Sequence, residues 1–214
     1  MDTPKLVVVG SVAYDSIETD TVSEKDVLGG SATHFSLAAA VQGVFTGIVA
    51  VVGEDFDPEH IELLRNNRVD TTGLDVREGK TFRWGGKYDS ELKDRETLYT
   101  HLNVFETFHP RLPETYRNCP YLFLANIDPD LQHDVLGQCT GPKWVGLDTM
   151  NLWIDIKRES LLRLLPKIDA LYINDTEAHQ LIGERNLLKA AHWVQERGTP
   201  SVVIKKGEHG AVVV

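Results

Sequence analysis

Residues 28–41 read LGGSATHFSLAAAV and place two adjacent glycines directly before an alanine-rich segment. Alanine has the highest helix propensity, so this segment is predicted to form a helix that begins near Ser31. Serine commonly caps helix N-termini, and the exposed N–H groups there bind hydroxyls or anions. Because glycine allows close approach to the backbone, Gly29 and Gly30 indicate a ligand lying against bare backbone at the helix start. The alternative interpretation is a turn followed by a capped core helix.

Short apolar runs alternate with helical segments on both sides of this stretch. The runs are KLVVVGS (5–11), GIVAVVG (47–53), YLFLAN (121–126), WVGLD (144–148), ALYI (170–173) and SVVI (201–204). Continuous apolar runs are typical of strands buried on both faces of a parallel sheet. Asp-Pro pairs at 57–58 and 128–129 predict helix starts, and further helices are predicted around 156–165 and 187–197. This alternation predicts one α/β domain over residues 1–214, with a doubly wound, mostly parallel sheet flanked by helices.

Two segments differ from this pattern. Residues 81–102 are rich in Thr, Tyr, Phe and Trp around a charged DSELKD turn at 89–94, which predicts a β-hairpin containing Trp84. Residues 12–28 are polar and weakly alternating, so we expect short strands that lie off the main sheet. Together they predict a small β-structured flap.

Composition limits the class of protein. Hydrophobic residues make up 42% and charged residues 25% of the 214 residues, as in ordinary globular proteins. A formal net charge of −10 argues against a nucleic-acid binder, because a phosphate backbone attracts a basic surface. Two cysteines without metal-type spacing, no basic-apolar leader and no run of about 20 apolar residues predict a cytoplasmic protein without a disulfide scaffold or membrane partner.

Carboxylates near strand ends are the first candidates for a binding site. Asp15 follows the first apolar run by a few residues, and Asp148 ends a later one. Open α/β sheets bind ligands at the carboxyl ends of their strands. A carboxylate beside Gly29-Gly30 fits the recognition of polyol hydroxyls, although Asp15 equally fits the ordinary role of a turn cap.

Polar residues after the last two parallel runs form a second group of candidates. Asn174 and Glu177 have the spacing of a capping box, which needs no function, or alternatively of a helix start that holds a metal ion and its waters near phosphate. Lys205 and Lys206 precede Gly207 at the end of a strand. These lysines either attract a polyphosphate ligand or lie on the solvated surface of the protein.

Six features occur in a characteristic order along the chain. They are GSVAYD with Asp15, the Gly29-Gly30 pair, Gly53-Glu54-Asp55, Val69-Asp70-Thr71, Asn174-x-x-Glu177 and KKGEHGA at 205–211. In this order they resemble the ribokinase-like (PfkB) carbohydrate and nucleoside kinases, and the resemblance covers essentially all 214 residues. The aromatic hairpin falls where that family has its β-lid. The resemblance therefore implies lid segments at about 12–28 and 81–102 that close over the substrate and could pair between subunits of a homodimer.

The resemblance also implies an activity: ATP-dependent phosphorylation of a hydroxyl on a small-molecule sugar or nucleoside, with Mg2+. It assigns substrate binding to Asp15, Gly29, Gly30 and the pocket position His34. It assigns the magnesium and phosphate region to Asn174 and Glu177, with Glu177 at the metal, and the nucleotide turn to Lys205, Gly207 and Gly210.

Three departures from the family pattern qualify this assignment. His34 stands where the family commonly has Asn, so the specificity pocket differs or His34 packs in the core. Lys205 stands where the nucleotide turn usually begins with Thr. The Asp-Thr-x-Gly-Ala-Gly-Asp signature, which supplies the anion hole and the catalytic base, does not occur in the sequence. It would normally lie beyond residue 214, so we expect an N-terminal part of a longer kinase that is inactive alone.

Two other functions compete with the kinase. A non-catalytic protein on the same fold would sense a sugar or a nucleotide, and the absence of a Gly-Ala-Gly-Asp helix start from the full gene would favour it. A nicotinamide-dependent oxidoreductase is disfavoured, because the first strand runs into GSVAYD and not into a glycine fingerprint that opens a helix.

Overall fold

The structure, a computed structural model, describes residues 3–89 and 95–214. Most of the turn predicted at 89–94 lies outside the described residues. The chain folds as two compact units, Met1–Pro113 and Glu114–Val214, called the first and second unit below.

The first unit contains two sheets and two α-helices. Its elements are β1 (Leu6–Val9), β2 (Ala13–Glu18), β3 (Ser23–Gly29), α1 (Ser31–Val41), β4 (Thr46–Gly53), α2 (Pro58–Asn66), β5 (Val69–Arg77), β6 (Phe82–Tyr88), β7 (Arg95–His101) and a 3-10 helix (Asn103–Thr107). Strands β1, β4 and β5 pair in parallel in that order. A separate four-stranded sheet has the order β3-β2-β6-β7.

The core of the first unit is built on β4, in which every residue is buried. Helix α2 begins as its Asp-Pro pair predicts, because the Asp57 side chain accepts a hydrogen bond from the Glu59 N–H and Pro58 occupies the first turn. Leu64 points inward and is fully buried, whereas Leu63 is exposed.

The four-stranded sheet occupies the two segments for which lid strands are predicted. Strand β2 pairs in parallel with β6, with Asp15 opposite Trp84 and Ile17 opposite Gly86. Alternate side chains of a strand point to opposite faces, and directly paired residues share a face. One face therefore carries Asp15 and Trp84, and we call it the Asp15 face.

The second unit contains the remaining strands and helices. They are a 3-10 helix (Glu114–Tyr116), β8 (Tyr121–Leu124), α3 (Pro129–Gln138), β9 (Trp144–Asp148), α4 (Asn151–Ile156), α5 (Arg158–Leu164), a 3-10 helix (Leu165–Lys167), β10 (Ala170–Asn174), α6 (Asp175–Ile182), α7 (Leu187–Gln195), β11 (Ser201–Lys205), a 3-10 helix (Gly207–His209) and β12 (Ala211–Val213). The strands lie in the order β12-β11-β10-β9-β8 and are parallel except for β12.

The two faces of the sheet formed by β8 to β12 differ in burial. Each connection from one parallel strand to the next advances in the same direction, so right-handed crossovers put α3 to α7 on one face. The side chains on that face are almost completely buried: Leu122, Leu124, Leu147, Leu171, Ile173, Val202 and Ile204. The opposite face carries Trp144, Tyr172 and Val203 at intermediate burial, with Tyr121 and Val213 exposed. Asp148 and Lys205 lie on this more open face, at its carboxyl edge.

Two local predictions are wrong. The segment predicted as one helix around 156–165 forms α4 and α5, which meet at Lys157, and α4 already begins at Asn151. Ser31 is not the N-cap of α1. Gly30 occupies that position, because the Ser31 hydroxyl is used in a tertiary contact with Ser11. Among the residues described, no helix is both long and apolar enough to cross a membrane.

Candidate functional site

Asp15 and Gly29 are in contact on neighbouring strands of the four-stranded sheet. Asp15 lies within β2, and Gly29 ends β3. A Cβ atom added at Gly29 would overlap the Asp15 carboxylate and would lie 3.1 Å from the Asp15 Cβ. The carboxylate therefore rests on the bare backbone of Gly29. The structure brings these two predicted substrate-binding residues together.

Gly30 has a different physical role from Gly29. Its φ of 98° is strained for other residues, and a Cβ atom there would lie 2.8 Å from the carbonyl carbon of Ser11. Ser11 also accepts the first N–H groups of α1: Ser31 donates to its Oγ at 3.0 Å and Ala32 to its carbonyl at 3.0 Å. Close packing of two chain segments thus explains Gly30 without a ligand, and its contact with substrate stays a prediction.

His34 lies one helical turn after Gly30 and is exposed. The alternative that His34 packs in the core is therefore wrong. The adjacent Thr33 is almost fully buried, and within the described chain its Oγ1 has no hydrogen-bond partner. Nothing in the sequence distinguishes Thr33 from an ordinary helix residue.

The strand exit at Asp55 anchors the first residues of β6. Asp55 accepts hydrogen bonds from the N–H and the hydroxyl of Thr81 at 2.7 and 2.8 Å, and Arg83 Nη1 lies 2.7 Å from its other oxygen. Burial opposes ionisation of Asp55, but the hydrogen bonds from Thr81 and Arg83 outweigh it and lower the pKa of Asp55. The Gly53-Glu54-Asp55 feature thus has a structural explanation within the first unit.

Asn174 and Glu177 form a complete capping box at the start of α6. The Asn174 side chain accepts from the Glu177 N–H at 2.7 Å, and the Glu177 carboxylate accepts from the Asn174 N–H at 2.7 Å. Residues 3–89 and 95–214 contain no group of three His, Cys, Asp or Glu side chains arranged to hold a metal. A single carboxylate still fits Mg2+, which usually keeps several waters and binds phosphates together with one or two carboxylates.

Lys205 forms an ion pair with Asp148 across the end of β10. Lys205 Nζ lies 2.9 Å from Asp148 Oδ1, although β11 and β9 are separated by β10. The register pairs Lys205 with Asn174, so the lysine crosses the strand end that leads into α6. Burial raises the pKa of Asp148, and the charge of Lys205 acts in the opposite direction.

Gly207 and Gly210 enclose the short turn that follows β11. Both have positive φ, 55° and 78°, and a Cβ atom at either position would meet nothing within 4 Å. Lys206 N–H donates to the Gly210 carbonyl at 2.8 Å and closes the turn. Backbone conformation therefore explains these glycines, and their contact with a nucleotide stays a prediction.

Gln132 is a buried polar residue that the sequence pattern does not single out. Its side-chain N–H groups donate to the carbonyls of Leu124, Ala125 and Asp148 at 3.3, 3.0 and 3.0 Å, which joins the carboxyl ends of β8 and β9. Gln132 Oε1 and Thr149 Oγ1 are buried and have no partner within the part of the chain that is described. No sequence signal identifies either atom, because each depends on strand order.

Comparison with known proteins adds to this geometry. The family model for pfkB family carbohydrate kinases matches residues 146–214. A cytidine kinase from Thermococcus kodakarensis is 27% identical over 213 residues, covering 97% of this chain and 75% of the relative. The predicted resemblance to the ribokinase-like (PfkB) family is confirmed.

Solved structures are similar to this chain at the level of the fold. The nucleoside kinase of Methanocaldococcus jannaschii, a member of the ribokinase family, is 17% identical with a TM-score of 0.76, covering 100% of this chain and 74% of that one. The adenosine kinase from Sinorhizobium meliloti is 14% identical with a TM-score of 0.82, covering 100% and 77%. The predicted ribokinase-like α/β fold is confirmed.

The matched family segment contains one of the two groups of candidate residues. Asn174, Glu177, Lys205 and the turn at 207–210 lie within residues 146–214, whereas Asp15, Gly29 and His34 lie outside them. For this ribokinase-like chain, the individual roles of all these residues therefore stay predictions that rest on geometry and resemblance.

Proposed function

We propose that this protein is an ATP-dependent kinase component that binds a sugar or nucleoside and directs one of its hydroxyls to phosphorylation. The observation that carries this proposal is the Asp15 carboxylate resting on the bare backbone of Gly29. Relatives named as cytidine, adenosine and nucleoside kinases support a substrate of this class.

The substrate side of the proposed site works through charge-assisted hydrogen bonds. An ionised carboxylate accepts hydrogen bonds from hydroxyls more strongly than a neutral acceptor does. Asp15 has two such oxygens, and Gly29 leaves room for its carboxylate to lie against the backbone. His34, exposed one turn into α1, adds a group at the pocket that both donates and accepts.

The donor side lies at the carboxyl edge of β10 and β11. Lys205 Nζ and the α6 start at Asn174 would contact the phosphates of ATP, and the backbone turn from Gly207 to Gly210 would contact the nucleotide. Glu177 would hold the waters of Mg2+, which neutralises charge on the transferred phosphoryl group when it is bound.

Transfer also requires a base for the attacking hydroxyl and an anion hole. The Asp-Thr-x-Gly-Ala-Gly-Asp signature that supplies them in this family is absent from the sequence. The chain of 214 residues is therefore expected to bind ligands without turning over. The second candidate, a non-catalytic sensor on this fold, would be favoured by absence of this signature from the full gene.

Calorimetric titration of the chain with ribose, cytidine, adenosine and Mg·ADP tests the proposal. We expect saturable binding of a sugar or nucleoside that Asp15→Asn weakens at least about tenfold, since it removes a charge-assisted contact without changing shape. Asp20→Asn, at an exposed position, is the matched control. If the folded chain binds none of the sugars and nucleosides, the proposal is wrong.

Transfer of radiolabelled phosphate from ATP separates the two candidate functions. Activity of the chain alone would contradict the expected inactivity. Binding of substrate but no transfer, even by the product of the complete gene, would favour the sensor.

We also propose that the four-stranded sheet acts as a lid and as the contact in a homodimer. Sedimentation with and without substrate would measure the dimer.

A further inference from the structure

Trp84 lies directly beside the proposed substrate-binding carboxylate. The parallel pairing of β2 with β6 puts Trp84 opposite Asp15, and both side chains lie on the Asp15 face. Neighbouring strands are about 4.8 Å apart, so the side chains of Trp84 and Asp15 leave the sheet at about that distance from each other. Trp84 is only partly buried.

The position of the indole ring is specified by Gly86. A Cβ atom added at Gly86 would overlap Trp84 Cη2 and lie 3.0 Å from Cζ3. The six-membered ring of Trp84 therefore covers the Gly86 backbone, two residues along the strand. Any larger residue at this position would displace the ring.

The opposite face of the sheet packs against the first unit through Tyr14. Tyr14 on that face is 5% exposed, accepts a hydrogen bond from the Asp57 N–H at 2.9 Å, and lies 5.5 Å from the Phe56 ring. Arg83 stacks on Tyr14 at 5.0 Å. On the Asp15 face, Asp15 and Trp84 each keep part of their surface exposed.

The lid strand is also held near Trp84. Phe82, on the same face two residues earlier, stacks on Phe105 with ring centroids 5.3 Å apart. Arg83 Nη1 is 2.7 Å from Asp55 Oδ2. These contacts fix β6 on both sides of its backbone, so the indole is carried by an anchored strand.

We propose that Trp84 is a stacking surface for a nucleobase and that the substrate class is therefore nucleosides and not free sugars. The proposal rests on the proposed function, because it places the ribosyl hydroxyls at Asp15 and the base over the indole. A flat aromatic ring stacks on the whole face of any base, whereas ribose can place only the C–H groups of its small ring against it.

Titration of the chain with cytidine and with ribose, in wild type and three variants, tests this proposal. Trp84→Leu keeps an apolar side chain but removes the aromatic face. It is expected to weaken cytidine binding about 5- to 150-fold, as measured for base–aromatic stacking, and to leave ribose binding unchanged. Trp84→Phe should restore most of the cytidine affinity. Trp193→Leu, in the second unit beside Arg197, is the matched tryptophan control.

Gly86→Ala provides a test that leaves Trp84 itself in place. The added methyl group displaces the ring from Gly86, so cytidine binding should weaken and ribose binding should not. Circular dichroism and the urea unfolding midpoint identify folded variants. Quenching of tryptophan fluorescence by cytidine in the wild type, and its loss in Trp84→Leu, gives an independent readout.

The outcomes separate this inference from the function on which it rests. If wild type binds ribose as tightly as cytidine, or if Trp84→Leu and Gly86→Ala bind cytidine like wild type, the nucleobase surface is wrong and the kinase proposal stands. If wild type binds neither ligand nor other sugars and nucleosides, the proposed function itself fails.

Discussion

Adding one methyl group at Gly29 or at Gly30 separates a glycine proposed to serve a binding site from one that serves the fold. At Gly29 the new Cβ would meet the Asp15 carboxylate, the far end of a side chain that can rotate. At Gly30 it would meet the backbone of Ser11 and Val12, which cannot rotate away, and φ is 98°. We therefore expect Gly29→Ala to affect ligand binding and Gly30→Ala to affect stability.

The expected magnitudes follow from these contacts. Moving Asp15 off its rotamer costs about 0.5–1.5 kcal/mol, so Gly29→Ala should lower the free energy of unfolding by that amount. At Gly30 the unfavourable backbone conformation costs about 1–3 kcal/mol and the overlap with Ser11 about 1–3 kcal/mol more. The total of about 2–6 kcal/mol is a large part of the about 5–15 kcal/mol that stabilises a typical protein.

Urea unfolding followed by circular dichroism measures the stability of both variants, and calorimetric titration with cytidine and ribose measures binding. Gly137→Ala in α3 is the control: no heavy atom lies within 4 Å of its Cβ position, so helix propensity should raise stability by about 0.5–1 kcal/mol. Equal losses of stability at Gly29 and Gly30 would refute the reasoning. So would unchanged substrate binding in a folded Gly29→Ala variant.

Three further predictions concern the second unit. Asn174→Ala should cost about 1 kcal/mol of unfolding free energy by removing the cap. Glu177→Gln keeps the capping geometry, so the free energy of unfolding should change by less than about 0.5 kcal/mol. The affinity for ADP should depend less on Mg2+ in this variant, because the charge that holds the metal is removed. A Mg2+ dependence equal to that of wild type would contradict a metal role for Glu177. Burial raises the pKa of Asp148, so this group binds its proton more readily when folded and its contribution to stability falls as pH rises above about 4. Removing the lysine charge with Lys205→Met should enlarge the loss of unfolding free energy between about pH 4 and about pH 8 by about 1 kcal/mol, measured by urea unfolding. Lys206→Met is the control and should leave the pH profile unchanged. Equal pH profiles for Lys205→Met and wild type would disprove the coupling.

Elements with strong local signals were predicted well. The run WVGLD forms β9 at Trp144–Asp148 as predicted, and the capping box at Asn174 starts α6. Asp57 and Asp128 each cap the helix that their Asp-Pro pair predicts. In each of these cases the determining atoms lie within a few residues of one another, so the sequence contains the whole signal.

Predictions failed or stayed open where distant residues decide. The Ser31 hydroxyl would cap α1, but Ser11, 20 residues earlier, engages it and shifts the cap to Gly30. The ion pair of Lys205 with Asp148 spans 57 residues and exists because β9 and β11 flank β10. The sequence shows both charged residues but not the strand order that joins them.

The Asp15 face illustrates how such a site is built from weak sequence signals. Asp15 and Trp84 are far apart in the chain, and each alone is ordinary: a polar residue after an apolar strand and an aromatic residue in a hairpin. Parallel pairing of β2 with β6 puts them opposite each other, and Gly86 lies two residues along β6, under the indole. Antiparallel pairing of β2 with β3 brings Gly29 under the carboxylate. Two glycines thus give room to the two side chains that we propose bind the ligand, on one face. We infer that this site is defined by where its glycines stand relative to the side chains they accommodate on the same or a neighbouring strand. That relation can be recognised in the sequence only once the strand register is known.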